Sequence, residues 1–254
     1  MKLFDSPFSP FARKVWMALR FKELPFEEVD GLLPENRRAL VAVNPRVEVP
    51  VLVDGDVVVV NSSDIVAYLD HRYPERPLLP ADPKQRVAAR AWERLADVQL
   101  DSIFHDVSIW TWPIVDRTDT MPHGLFDAAK TELEEIYGRL ECALAANGDF
   151  VCGEMTIADL ALYPHLLAAK PLGIPFTHDR FPKLDDWLRR MRACPLGAED
   201  LKRAREWLQT AARTHLKVDK IVWRGDRIEW LLTHGGQDWF VEEIRSGRVG
   251  WPKA

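Results

Sequence analysis

The sequence predicts an α/β domain followed by an all-helical one. Two observations carry this. Short β-like runs alternate with helical runs only through about residue 75, and long helical periodicities dominate from Lys84 to about Arg213. A Pro-rich stretch, Glu75-Arg76-Pro77-Leu78-Leu79-Pro80-Ala81-Asp82-Pro83, separates the two patterns.

The chain has 254 residues, 47% hydrophobic and 29% charged, so it can bury a core. No apolar run approaches the roughly 20 residues of a membrane span, and the first residues lack a signal peptide's basic-then-apolar pattern. A cytoplasmic location is expected, with no membrane partner. The 3 cysteines, Cys142, Cys152 and Cys194, show no CxxC or zinc-ligand spacing and read as free thiols. The 7 histidines form no HExxH-type pair, so no metal is expected. A formal net charge of -5 lacks the basic excess that nucleic-acid binding needs.

Taken in order, Lys2-Leu3-Phe4 reads as a strand and Phe11–Phe21 as a helix, followed by the strand-like Phe26–Val29 and a polar helix near 35–43. The valine-rich runs flanking Asp54-Gly55 read as a hairpin, because Asp-Gly suits the tight turn. Together these make a βαβ unit plus a hairpin, then a helix over Ser62–Tyr73. Beyond the linker, helices are expected over 84–112, 125–146 and 157–170, with two shorter segments up to 213. Lys220–Trp223, Arg227–Thr233 and Asp238–Ile244 read as two short strands and a terminal helical turn.

Four local features stand out. Ser9-Pro10 is a helix start: serine caps free N–H groups and proline suits the first helical position. Such an N-terminus also carries partial positive charge and stabilises a thiolate, so Ser9 is either a plain cap or a donor that activates a bound thiol. In Val49-Pro50, the proline starts the strand, lies at an edge, or takes a cis bond that exposes the backbone of Val49 to a peptide-like ligand. In Asn61-Ser62-Ser63, Ser62 or Ser63 caps the next helix, and the same N-terminus can hold a carboxylate. Thr156 and Asp159 are spaced as a capping box, a folding signal for a buried helix.

In this order and spacing the four features resemble the glutathione S-transferase family over about residues 1–213. The resemblance implies a thioredoxin-like glutathione-binding domain at 1–75, a linker at 76–83, an all-helical domain at 84–213 and a C-terminal extension at 214–254. It implies a cytosolic homodimer with a detoxifying role, using glutathione as co-substrate against a small hydrophobic electrophile. By the same resemblance Ser9 falls on the activating serine, or on the catalytic cysteine of omega-like members, Val49 on the backbone contact before a cis-Pro50, and Ser62 on the hydroxyl that holds the γ-glutamyl carboxylate; Phe8 and Asn61 flank these corners.

Asn61 stands where an acidic residue is common, removing a charge near the glutathione amino group, and Glu48 is expected to oppose a glycine carboxylate. Phe8, Phe104, His105, Val107, Trp110 and Trp112 are candidates for the electrophile pocket, with a core or dimer-interface role as the competing reading. With no cysteine in the first domain, conjugation, dehalogenation or ether cleavage fits better than disulfide reduction. Isomerisation and a non-catalytic interaction module are the rivals. Trp223, Trp230, Trp239 and Trp251 in the extension must pack somewhere, as lid, dimer brace or docking surface.

Overall fold

The computed structural model describes residues 1–111, 120–213, 221–222 and 225–250. Strand β1 (Lys2–Asp5), helix α1 (Pro10–Phe21) and strand β2 (Glu27–Asp30) form the expected βαβ unit. Helix α2 (Arg37–Val43) leads to the hairpin of β3 (Val51–Asp54) and β4 (Val57–Val60), and α3 (Ser62–Arg72) follows. The 4 strands form one sheet in the order β2-β1-β3-β4. β1 runs parallel to β2 and antiparallel to β3. Gly55, at φ +64°, supplies the left-handed position of the hairpin turn.

The helical part begins at α4 (Pro83–Arg94), whose first turn is capped by Asp82 accepting the Gln85 N–H at 2.8 Å. A π-helical segment, Leu95–Leu100, joins it to α5 (Asp101–Thr111), so the expected long helix is an α–π–α succession of three segments. Then come α6 (Leu125–Asn147), α7 (Ile157–Leu166), α8 (Pro182–Ala193) and α9 (Pro195–Arg213). Helix α7 ends earlier than its apolar periodicity suggests, the chain turning after Leu166. Every residue of α7 is buried, so its apolar character reflects position at the centre of the bundle. Its capping box is present: the Asp159 carboxylate accepts the Thr156 N–H at 3.0 Å, and also the Val151 N–H and the Trp187 indole N–H at 3.2 and 2.9 Å.

One apolar core runs through both parts, from Leu3, Val15 and Leu52 to Tyr137, Tyr163 and Trp187. The extension departs from expectation. Ile221–Val222 (β5) is a strand and pairs in parallel with β6 (Val249–Gly250), but Arg227–Thr233 lies in a helix, α10 (Gly225–Thr233), and 237–245 forms a full helix, α11 (Gln237–Arg245). The reason is tertiary. Leu231 of α10 and Phe240 of α11 close a second small core with Ile109 of α5 and Leu125 of α6, which demands a helical presentation of these side chains. Trp223 and Trp251 lie outside the described residues.

Candidate functional site

The strand register brings the expected corners to one end of the sheet. Phe4 of β1 pairs with Val51 of β3, and Val51 pairs with Val60 of β4. The loop leaving β1, the Val49-Pro50 segment entering β3 and Asn61-Ser62 leaving β4 therefore open on the same edge.

Ser9 is the N-cap of α1. Its Oγ accepts the Ala12 N–H at 3.3 Å, and its own N–H donates to Ser6 O at 3.0 Å. Capping uses an Oγ lone pair and leaves the hydroxyl proton free to donate outward, so the cap and thiol-activator readings are compatible. Phe8 stacks on Trp207 of α9, ring centroids 5.2 Å apart.

The Val49–Pro50 peptide is cis, and the β1–β3 ladder starts only at Val51. Asn44 shapes this loop, donating to Glu48 O at 3.0 Å while its Oδ1 accepts the Arg46 N–H at 3.1 Å. Glu48 does not present a bare charge: Arg46 Nε lies 3.2 Å from its Oε2. At the third corner the cap is Asn61, not Ser62 or Ser63. Asn61 sits at φ +74°, which asparagine tolerates, and its side chain accepts the Ser63 N–H at 2.9 Å. Ser62 becomes the first residue of α3, 4% exposed, at the positive end of the helix.

Of the pocket candidates, Phe104 belongs to the main core at 4% exposure and Val107 at 0%; helical spacing there marked packing. His105 is half-buried. Trp110 packs edge-on against Trp239 of α11, at 4.9 Å between centroids, and so serves the junction with the extension. Trp112 lies outside the described residues. His178, Asp185 and Asp186 gather their ligand atoms within 4.8 Å, but Arg189 already stands 2.5 Å from Asp185 Oδ2 as their counter-charge.

Sequence reading missed the polar face that α9 lays on the sheet domain. Arg13 of α1 donates to Asp200 at 3.0 and 2.5 Å, and Arg20 to Glu199 at 2.9 Å. Arg203 reaches Asp5 at 2.6 Å and also contacts Glu28, while the Trp207 indole N–H donates to Asp30 at 2.7 Å. Asp5 is 0% exposed, and burial pushes its carboxyl up to about 6 although Arg203 opposes the shift. The only sequence trace was Arg203 and Trp207 at helical i,i+4 spacing, which a solvated face also shows.

Fold and site thus define a thioredoxin-like domain with a serine capping its first helix, joined to a helical bundle. The family model "Glutathione S-transferase, N-terminal domain" matches residues 3–77, and "Glutathione S-transferase, C-terminal domain" matches 107–195. The chain is 31% identical over 200 residues to glutathione S-transferase U2 of Arabidopsis thaliana, covering 75% of this chain and 83% of that one. It is 29% identical to pyrimidodiazepine synthase of Drosophila melanogaster, covering 77% and 78%. Among solved structures, a glutathione S-transferase from Rhodospirillum rubrum F11 superposes with a TM-score of 0.68 at 23% identity, over 79% of this chain and 91% of that one. Beta-etherase LigF from Sphingobium sp. strain SYK-6 does so with 0.68 at 23%, over 80% and 98%. The chain belongs to the glutathione S-transferase family and is a glutathione transferase.

Proposed function

We propose that Ser9 donates a hydrogen bond to the sulfur of bound glutathione and that the resulting thiolate attacks a small hydrophobic electrophile. The register row Phe4–Val51–Val60 carries this reading, because it puts the Ser9 hydroxyl, the Val49 backbone and the α3 N-terminus on one edge. The peptide backbone of glutathione pairs with Val49, and the γ-glutamyl carboxylate takes the Ser62 hydroxyl and the first N–H groups of α3. Asn61 supports this corner as a cap. Because Arg46 engages Glu48, the glycine end meets a neutralised rim.

The Phe8–Trp207 stack is the aromatic surface next to Ser9, and an apolar electrophile meets it as the attack begins. Conjugation is the favoured outcome; dehalogenation, ether cleavage and isomerisation share the same cradle. The active form is a homodimer that covers the exposed valines of β4, Val57, Val58 and Val60, together with Val87 of α4, which is 70% exposed.

The test is the thiolate absorbance of enzyme-bound glutathione, titrated with pH. Ser9→Ala removes a hydrogen bond to a charged acceptor, so the midpoint should rise by about one unit or more. An unchanged midpoint with glutathione still bound would remove Ser9 from the mechanism.

A further inference from the structure

Helix α9 does more than cover the sheet domain. Glu199, Asp200, Arg203 and Trp207 lie on one face of it, and each makes a polar contact with the thioredoxin-like domain. The partners are not equivalent. Arg13 closes the first turn of α1 and Arg20 lies in its last, whereas Asp5 is the last residue of β1, immediately before the loop that carries Phe8 and Ser9. One turn beyond Arg203, Trp207 stacks on Phe8 while its N–H is tied to Asp30 at the end of β2. The Ser9 loop is thus gripped from the helical domain at both of its ends.

Arg203 is held tightly enough to do this. Its guanidinium carbon lies 4.3 Å from the Trp16 ring centroid, and Trp16 donates its indole N–H to Glu28 at 2.8 Å, so the guanidinium is fixed in plane and direction. The groups facing Asp5 are Arg203 of α9 and Glu28 of β2, with the Ser6 backbone N–H beside it. Without Arg203, Asp5 and Glu28 would face each other uncompensated at the foot of the loop.

Resting on the Ser9 reading, we propose that Arg203 is a positioning residue for thiol activation: through Asp5, and with Trp207 on Phe8, it sets where the Ser9 hydroxyl and the α1 N-terminus meet the glutathione sulfur. The thioredoxin-like domain supplies the cradle, and the helical domain sets its aim. A shift of a fraction of an ångström at this point weakens a short hydrogen bond to a thiolate far more than it weakens the distant backbone and carboxylate contacts.

The experiment compares wild type, R203M, R203K and R20M in the full chain, with Ser9→Ala alongside. R203M keeps an unbranched side chain and loses the charge together with the guanidinium over Trp16. R20M breaks the exposed contact to Glu199 and the more distant approach of Arg20 to the Trp16 ring, at 5.7 Å, and so controls for general loosening of α9 and of Trp16. The expected result is a rise of about half a unit in the thiolate midpoint for R203M, and a fall of roughly tenfold in kcat toward 1-chloro-2,4-dinitrobenzene. The glutathione KM should stay within about twofold, since the other contacts persist. R203K should recover part of the shift, because it returns the charge without the planar fork, and R20M should titrate as wild type. Wild-type midpoint and kcat in R203M and R203K, or in R203K alone should R203M not fold, would overturn the proposal, as would an equal shift in R20M. An unchanged midpoint in Ser9→Ala would instead overturn the reading on which it rests.

Discussion

Lys14 of α1 places its ammonium 3.0 Å from Glu93 Oε1 of α4 and 2.5 Å from Asp97 Oδ2, with the Lys14 side chain 0% exposed. This is a buried ionic joint between the two domains, completed by the Ser63 hydroxyl donating to Glu93 at 2.8 Å. Burial alone would raise the Glu93 carboxyl, but Lys14 and Arg90 more than offset it and hold it below the usual range.

Removing one member of such a joint leaves its partners charged and buried. Lys14→Met should destabilise the protein by about 3–5 kcal/mol, more than the deleted attraction alone, because Asp97 loses its counter-charge and Glu93 is left with Arg90 alone. Urea denaturation checks this. A loss smaller than about 1 kcal/mol would mean that the carboxylates relax into water.

Asp5 should behave in the opposite sense with pH. Its folded value, about 6, lies above the ordinary 3.8, so the folded state holds the proton more tightly. The stability this contributes is fully present below the unfolded value and is lost as pH rises through about 6. The stability difference between Asp5→Asn and wild type should therefore shift in favour of Asp5→Asn as pH rises through this window. Denaturation midpoints across a pH series measure it, and a carboxyl carbon titration of Asp5 by NMR should centre near 6. Glu93, held low, contributes the reverse: its share is lost as pH falls through its folded value.

Val58 tests the dimer. It lies on β4 with 45% of its surface exposed, beside Val57 and Val60. Val58→Asp should convert a dimer to monomer in light scattering while the sheet itself remains folded, since the side chain is not in the core. A wild-type mass distribution would place the partner elsewhere.

Phe240 tests the extension. It is 7% exposed and closes the small core with Ile109, Leu125 and Leu231. Phe240→Ala should cost about 3–5 kcal/mol of local stability. Limited proteolysis should then cut within α10 and α11 while the residues matched by the two family models stay intact. Val241→Ala, on the exposed face of the same helix, should be nearly silent.

Much of the local structure was legible in the chain. Ser9-Pro10, the hairpin at Asp54-Gly55 and the capping box at Thr156–Asp159 are local signals, each set by backbone chemistry within a few residues, and each folds as expected. The identity of the cap at α3 was harder to see, because Asn61, Ser62 and Ser63 are all good caps, and the choice rests on a positive φ that only the strand-to-helix turn imposes. Phe104 and Trp110 could not be told from pocket residues, since apolar spacing on a helix reports burial without saying against what.

The sequence by itself determined the two-part architecture and the helix starts at Ser9-Pro10 and Thr156, because these depend on periodicity and short-range backbone rules; the order and spacing of its motifs carried the resemblance to the family that the family models match. Tertiary structure alone decided that Arg203 and Trp207 come to the Ser9 loop from about two hundred residues away, and that α10 and α11 are helices. These features depend on which surfaces meet, and a guanidinium on a polar helix face has the same spacing whether it faces water or a buried carboxylate.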